Sequence, residues 1–102
     1  MFKKDNRYVT RGLNEEVDIR LQLIMWNMID KLKNEGNVEV DYLQIFKIRK
    51  EGNNIVINQS QEVPEYLCTY EIEIEDIQIE GEIKVYVIDS GEYSTMLSQS
   101  EY

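Results

Sequence analysis

Residues 16–35 read EVDIRLQLIMWNMIDKLKNE, and this stretch decides how the rest of the chain is organised. It is the one long segment with a helical period. Val17, Leu21, Ile24, Met25, Met28 and Leu32 recur at three- and four-residue steps, which places them on one stripe of an α-helix. Ile19, Leu23 and Trp26 fall off that stripe, on the side of Gln22 and Asp30. A helix that is apolar on two sides is either buried twice or carries an interface. These three residues therefore predict packing against a second copy of the chain or against the C-terminal segment. Asn14 and Asp18 both suit the N-cap, and Glu15 and Glu16 suit the positive end of the helix dipole. Gly36 follows Lys31 and Lys33 as a C′ residue at positive φ.

Working outward, residues 1–6 are expected to fray, and Tyr8-Val9-Thr10 reads as a short edge strand ended by Gly12. Val38-Glu39-Val40 is a brief strand or only a connection. Residues 42–50 form a strand that is apolar on both sides, Gly52-Asn53-Asn54 is turn chemistry, and residues 55–59 return as the second arm of a hairpin. Residues 60–64 form a loop, since Pro64 cannot donate to a ladder. Along residues 66–74, Tyr66, Cys68, Tyr70, Ile72 and Ile74 alternate with Leu67, Thr69, Glu71, Glu73 and Glu75, so one side of this strand is wet. Glu75-Asp76 then suggests a turn, and residues 77–88 a partner strand, giving a second hairpin in which Gly81 marks a bulge or a close helix approach. Residues 92–97 read as a short helix or strap. The fold class expected is α+β: one domain over residues 1–102, with one long amphipathic helix packed on an antiparallel sheet of about four to five strands. The order is β-α-β-β-β-β with a short C-terminal strap.

The net charge is −9 and unevenly spread. Residues 1–11 carry four basic side chains against one acid; residues 61–102 carry eleven acids against Lys84 alone. An acidic half disfavours direct binding to nucleic-acid phosphates. It suits either a solvated surface or a surface that meets a basic partner. The chain has no run of apolar residues long enough to span a bilayer and no apolar leader near its N-terminus. With the single cysteine, Cys68, these features point to the cytoplasm.

Chemistry narrows the options further. The chain has no histidine, the commonest general base and metal ligand. Cys68 lies among core-facing strand residues, where a structural thiol rather than a nucleophile is expected. The five glycines are isolated, so no phosphate loop is present. No cofactor or metal is implied, and no catalytic residue is assigned. Glu71, Glu73 and Glu75 share one strand face that is either solvated or steers toward a basic protein. Arg11, Asp89, Glu92 and Tyr93 gather at one end of the sheet if the last strand pairs with the first. There they would tie down the tail or form the end of a small-ligand pocket.

Several segments, read together, resemble a known family: RYVTRG at 7–12 with NEE at 14–16, LQLIMW at 21–26, DYLQ at 41–44, EVPEY at 62–66 and VIDSGEYSTM at 87–96. The family comprises small Gram-positive bacterial proteins described only as a domain of unknown function. The resemblance spans nearly the whole chain and implies a stand-alone cytoplasmic protein of Firmicute type. It carries over no activity and no catalytic residues, and Ser90 stands where relatives often carry an acid. The function expected is a non-enzymatic protein-interaction or regulatory module. Its partner would be another protein with a basic surface, or a second copy met through the helix, with no nucleic acid and no membrane. The alternative is a small-ligand module at the Arg11/Tyr93 end.

Overall fold

A computed structural model describes all of residues 1–102. The elements are, in order, β1 (Arg7–Val9), α1 (Arg11–Glu16), α2 (Ile19–Glu35), β2 (Leu43–Glu51), β3 (Asn54–Gln61), β4 (Tyr66–Glu73), β5 (Glu82–Asp89), β6 (Ser94–Ser98) and a closing 3-10 turn, Gln99–Glu101. This is the expected α+β class, with differences in count and order.

The expected single helix is two. Thr10 caps α1 by accepting from the Leu13 N–H at 3.2 Å. Val17 then adopts extended backbone, and Asp18 starts α2 by accepting from the Arg20 N–H at 2.9 Å. Asn14, one of the two expected caps, lies inside α1, and so does Gly12. The break is held by Gln22, which is buried and donates to the Val17 carbonyl at 2.8 Å and the Asn14 side chain at 3.1 Å. Gly36 ends α2 at φ 67, as its position predicts. The main stripe is buried apart from half-buried Ile24, and Ile29, outside the predicted stripe, is fully buried as well.

The sheet has six strands rather than four to five, in the order β1-β6-β5-β2-β3-β4. The β2–β3 hairpin stands, turning through Gly52 at φ 62. The second expected hairpin does not: β4 pairs only with β3, and β5 pairs with β2 and β6. Strands β2 to β5 thus make a Greek key, with the fourth strand returning to lie beside the first. The return runs through residues 74–81. Its Ile77 is buried in the core, its carbonyls at Glu75 and Ile77 accept from Lys50 Nζ, and its Asp76 is bound by Arg20. Gly81, at φ 67 with open space around it, bends the chain into β5 and marks neither a bulge nor a close helix approach. Residues 38–40 form a connection, and the expected strap is β6, which closes the sheet between β5 and a parallel β1.

Both helices cover one sheet face, where Phe46, Ile48, Ile55, Ile57, Val85 and Val87 meet Leu21, Met25 and Ile29 in one core. A buried chain of glutamines interrupts it. Gln59 donates to Gln44 at 3.0 Å, Gln44 to Gln61 at 2.7 Å, and Gln61 to the carbonyls of Glu39 and Pro64. Burying amides requires such partners; only Gln59 Oε1 lacks one.

The N-terminus is not frayed. Phe2 is buried, its N–H donates to Asp89 Oδ2 at 2.8 Å, and its carbonyl accepts from Arg7 and Lys33. Arg7 also forks onto Asp30 and lies 4.8 Å above the Trp26 ring. An apolar side chain two residues from the start supplied a reason for order that composition near a terminus does not reveal.

Candidate functional site

The opposite face of the sheet carries no helix, so β4 is exposed on one face and along one edge. It is the last strand of the sheet, eight residues long, with no neighbour beyond it. On the covered side, α2 runs past β4 without closing the gap. Between them lies a groove of about 740 Å³ whose floor is Leu23, Ile24, Ile72 and Ile74 and whose rim is Arg20, Glu73, Glu75 and Asp76. A second hollow of about 160 Å³ continues it along the helix past Ile24, Met28, Lys31 and Tyr70. A third, of about 190 Å³, lies elsewhere, under the C-terminal turn.

Leu23 is 56% exposed on the helix wall of the groove. One turn earlier, Arg20 holds Asp18 on its own element and reaches from α2 to Asp76, beyond the end of β4. Arg20 Nε lies 2.9 Å from Asp18 Oδ1, and Nη1 lies 3.1 Å from Asp76 Oδ1. The guanidinium's hydrogen bonds hold the Asp18 carboxyl down at about 2 and lower that of Asp76, while the two carboxylates raise the pKa of Arg20. The cation on this rim is therefore already engaged. Glu71, Glu73 and Glu75 form no ion pair; Glu71 accepts from Asn54 Nδ2 at 2.9 Å. At the far end of β4, burial first, and a hydrogen bond with Cys68 second, push the Tyr66 phenol up to about 12. Cys68 itself is half-buried on the covered face, opposite Gln59.

The residues singled out from sequence separate into two groups. Leu23 and Glu75 line the groove, and Glu73 borders it from β4. Glu71 and Glu73 project onto the open face, as the alternation predicts, but the register sets Arg49 and Lys47 of β2 and Lys84 of β5 on that same face. That side is of mixed charge. Ile19 is 57% exposed, on the turn of α2 before the groove, whereas Trp26 is only 8% exposed. Trp26 is covered by Arg7 within the same chain, so it corrects the expectation of a partner copy or the C-terminal segment there.

The Arg11 end does not assemble. Because β1 runs parallel to β6, Arg7 lies level with Ser94, and Arg11 follows beyond Met96, toward the other end of β6 from Tyr93. Arg11 is 93% exposed and meets only Glu15, at 3.4 Å. Asp89, Glu92 and Tyr93 do gather at one end, where they tie the N-terminal segment without Arg11: Asn6 Nδ2 donates to the Glu92 carbonyl, Phe2 N–H to Asp89, and Tyr8 meets Tyr93 edge-on at 5.9 Å. None of the three hollows is lined by Arg11, Asp89, Glu92 or Tyr93. What sequence reasoning missed is the Ile72–Ile74 floor as an exposed site; the signal available was an apolar phase on a strand with acids on its other face.

A family described as "Staphylococcal protein of unknown function (DUF960)" matches residues 6–101. This fits the resemblance to a Firmicute domain of unknown function. A crystal structure of a protein of unknown function from Enterococcus faecalis is similar with a TM-score of 0.80 at 20% identity, over 99% of this chain and 94% of that one. At that identity the likeness is one of fold. No curated protein matches the chain, and no helix is long and apolar enough to cross a membrane.

Proposed function

The chain belongs to the DUF960 family of staphylococcal proteins of unknown function, and we propose that it is a non-enzymatic interaction module that docks a basic segment of another protein between α2 and β4. The single observation that carries this reading is an apolar floor, exposed Leu23 with half-buried Ile24, Ile72 and Ile74, running along an acidic edge strand whose Glu71 and Glu73 project from its other face and whose end carries Glu75. Apolar surface collected in a groove and rimmed by charge is the anatomy of a binding site for a partner rather than of a solvated face. The chain's net charge of −9 repels a second copy and attracts a basic segment. No observation favours a catalytic reading: the commonest general base, histidine, is absent, and Cys68 is half-buried. No observation favours the small-ligand alternative either: Arg11 stands apart from Asp89, Glu92 and Tyr93, and none of the hollows is lined by any of the four.

Two variants test the reading by different physics. Leu23→Asp places a charge on the floor; the triple change of Glu71, Glu73 and Glu75 to glutamine removes the rim field. A photo-crosslinking side chain at position 23 should capture a Lys/Arg-rich segment from a native lysate. That capture should weaken as salt shortens the screening length below about 8 Å, and the glutamine variant should weaken it at every salt. Capture that is unchanged by the glutamine variant and by salt, or that finds only acidic or neutral segments, contradicts the proposal. Leu23, Glu71, Glu73 and Glu75 are all exposed, so both variants keep the fold.

A further inference from the structure

Resting on that reading, we infer that the docked segment binds as an extended strand, adding a seventh strand to the sheet at the free edge of β4. The hydrogen-bond phase of β4 carries the inference. The Ile74 N–H donates to the Asn53 carbonyl at 3.0 Å. In an antiparallel pair, residues that exchange bonds with the partner alternate with residues whose N–H and C=O turn away. Ile72, Tyr70, Cys68 and Tyr66 share the phase of Ile74 and face Ile55, Ile57, Gln59 and Gln61. The N–H and C=O groups of Leu67, Thr69, Glu71 and Glu73 therefore point outward from the sheet, where no strand meets them. That is a row of donors and acceptors about 20 Å long at ~3.3 Å per residue. It lies along the mouth of the groove.

Proteins blunt long free edges with charged side chains, proline, bulges or an inward charge; the charges on β4 are Glu71 and Glu73 on the open face, which repel an acidic strand and leave a basic one free to pair. Residues 66–73 contain no proline, and their register with β3 runs without a bulge. The other edge is only the three-residue β1. The free edge and the apolar groove lie side by side, as they do wherever a peptide is recognised by strand addition. Side chains fix what such a strand must look like. Those on the side of Tyr70 and Ile72 enter the groove toward Leu23 and Ile24; those on the other side stand next to Glu71 and Glu73. The occupant thus alternates apolar residues with lysine or arginine, with period two. A helical occupant would fill the groove but leave the outward backbone groups of β4 without partners.

The probe is a random twelve-residue peptide library displayed and selected on the immobilised full chain. Selected peptides should alternate apolar and basic residues without proline. On binding, the amides of Leu67, Thr69, Glu71 and Glu73 should slow in hydrogen exchange by about tenfold or more, the scale of one hydrogen bond. N-methylation of alternate peptide amides should abolish binding in one phase and spare it in the other. Peptides that shift the signals of Leu23 and Ile72 but leave those four amides unprotected overturn strand addition and leave the groove reading intact. Selection that yields no binder, or binders that touch neither feature, overturns both.

Discussion

Glu101 shows how single side chains set this structure. Its carboxylate accepts from Thr10 Oγ1 at 2.6 Å, from Ser98 Oγ at 2.8 Å and from the Ser98 N–H at 3.1 Å. These bonds hold it below the usual carboxylate range, Thr10 contributing most. A Cβ at Gly12 would sit 2.7 Å from Glu101 Oε2, so the glycine is there for approach rather than for its backbone angle. Gly12→Ala should push the carboxylate off Thr10 and Ser98, a loss partly offset by alanine's better helix propensity; Glu101→Gln should weaken the same bonds, and its cost should be smaller in the Gly12→Ala background than in the parent chain. Urea unfolding of all three checks the coupling; full additivity would mean the two residues act separately. Trp26 is the second case. Covered by Arg7 within one chain, Trp26→Ala should cost about 3–5 kcal/mol with the mass in solution unchanged. A shift in mass would restore the interface role. From sequence, Trp26 lay off the core stripe because the residue that covers it, Arg7, is charged and sits 19 positions away from it. The buried glutamines escaped for a related reason: patterning counts apolar letters, and Gln44, Gln59 and Gln61 are buried through one another.

The elements themselves were legible where the signal was local. The stripe of α2, its Gly36 stop, the β2–β3 hairpin and the two-phase alternation of β4 follow from neighbouring residues. What failed was pairing across distance. A turn-like Glu75-Asp76 suggested a hairpin, but Asp76 serves Arg20 and the chain crosses to β2 instead. The start of α2 yields a pH prediction. Asp18 has its pKa lowered from 3.8 to about 2, mainly by hydrogen bonding to Arg20. A depressed folded-state value stabilises the fold at pH above the unfolded value and loses that contribution as pH falls through the folded one. The Asp18 cap should therefore hold down to pH 3.8 and release toward about 2, and Asp76, whose carboxyl Arg20 also holds below its ordinary value, should release its tie at lower pH than a free aspartate would. The Asp18 carboxyl carbon resonance should titrate near the lower value. A midpoint near 3.8 in the folded chain would show that the capping pair does not form.

At the scale of the whole molecule, two asymmetries coincide. Helices cover one sheet face and leave the other open, and the sheet ends in a three-residue strand on one side and an eight-residue strand on the other. The acidic half of the chain supplies the long edge, so the exposed backbone, the apolar groove and the unpaired carboxylates fall in one place. Leu23 and the acidic face of β4 were singled out from the sequence, but the free edge and the Ile72–Ile74 floor were not, because an edge is a property of strand order and the order required β5 to pair with β2. The account rests on β4 being a free edge with its outward groups in one phase. Hydrogen exchange of the unliganded chain, resolved by amide, tests that most directly. Cys68, Tyr70 and Ile72 should exchange slowly, and Leu67, Thr69, Glu71 and Glu73 fast, in strict alternation along the strand. Slow exchange at all seven amides would mean that another chain already covers the edge, and would contradict the account.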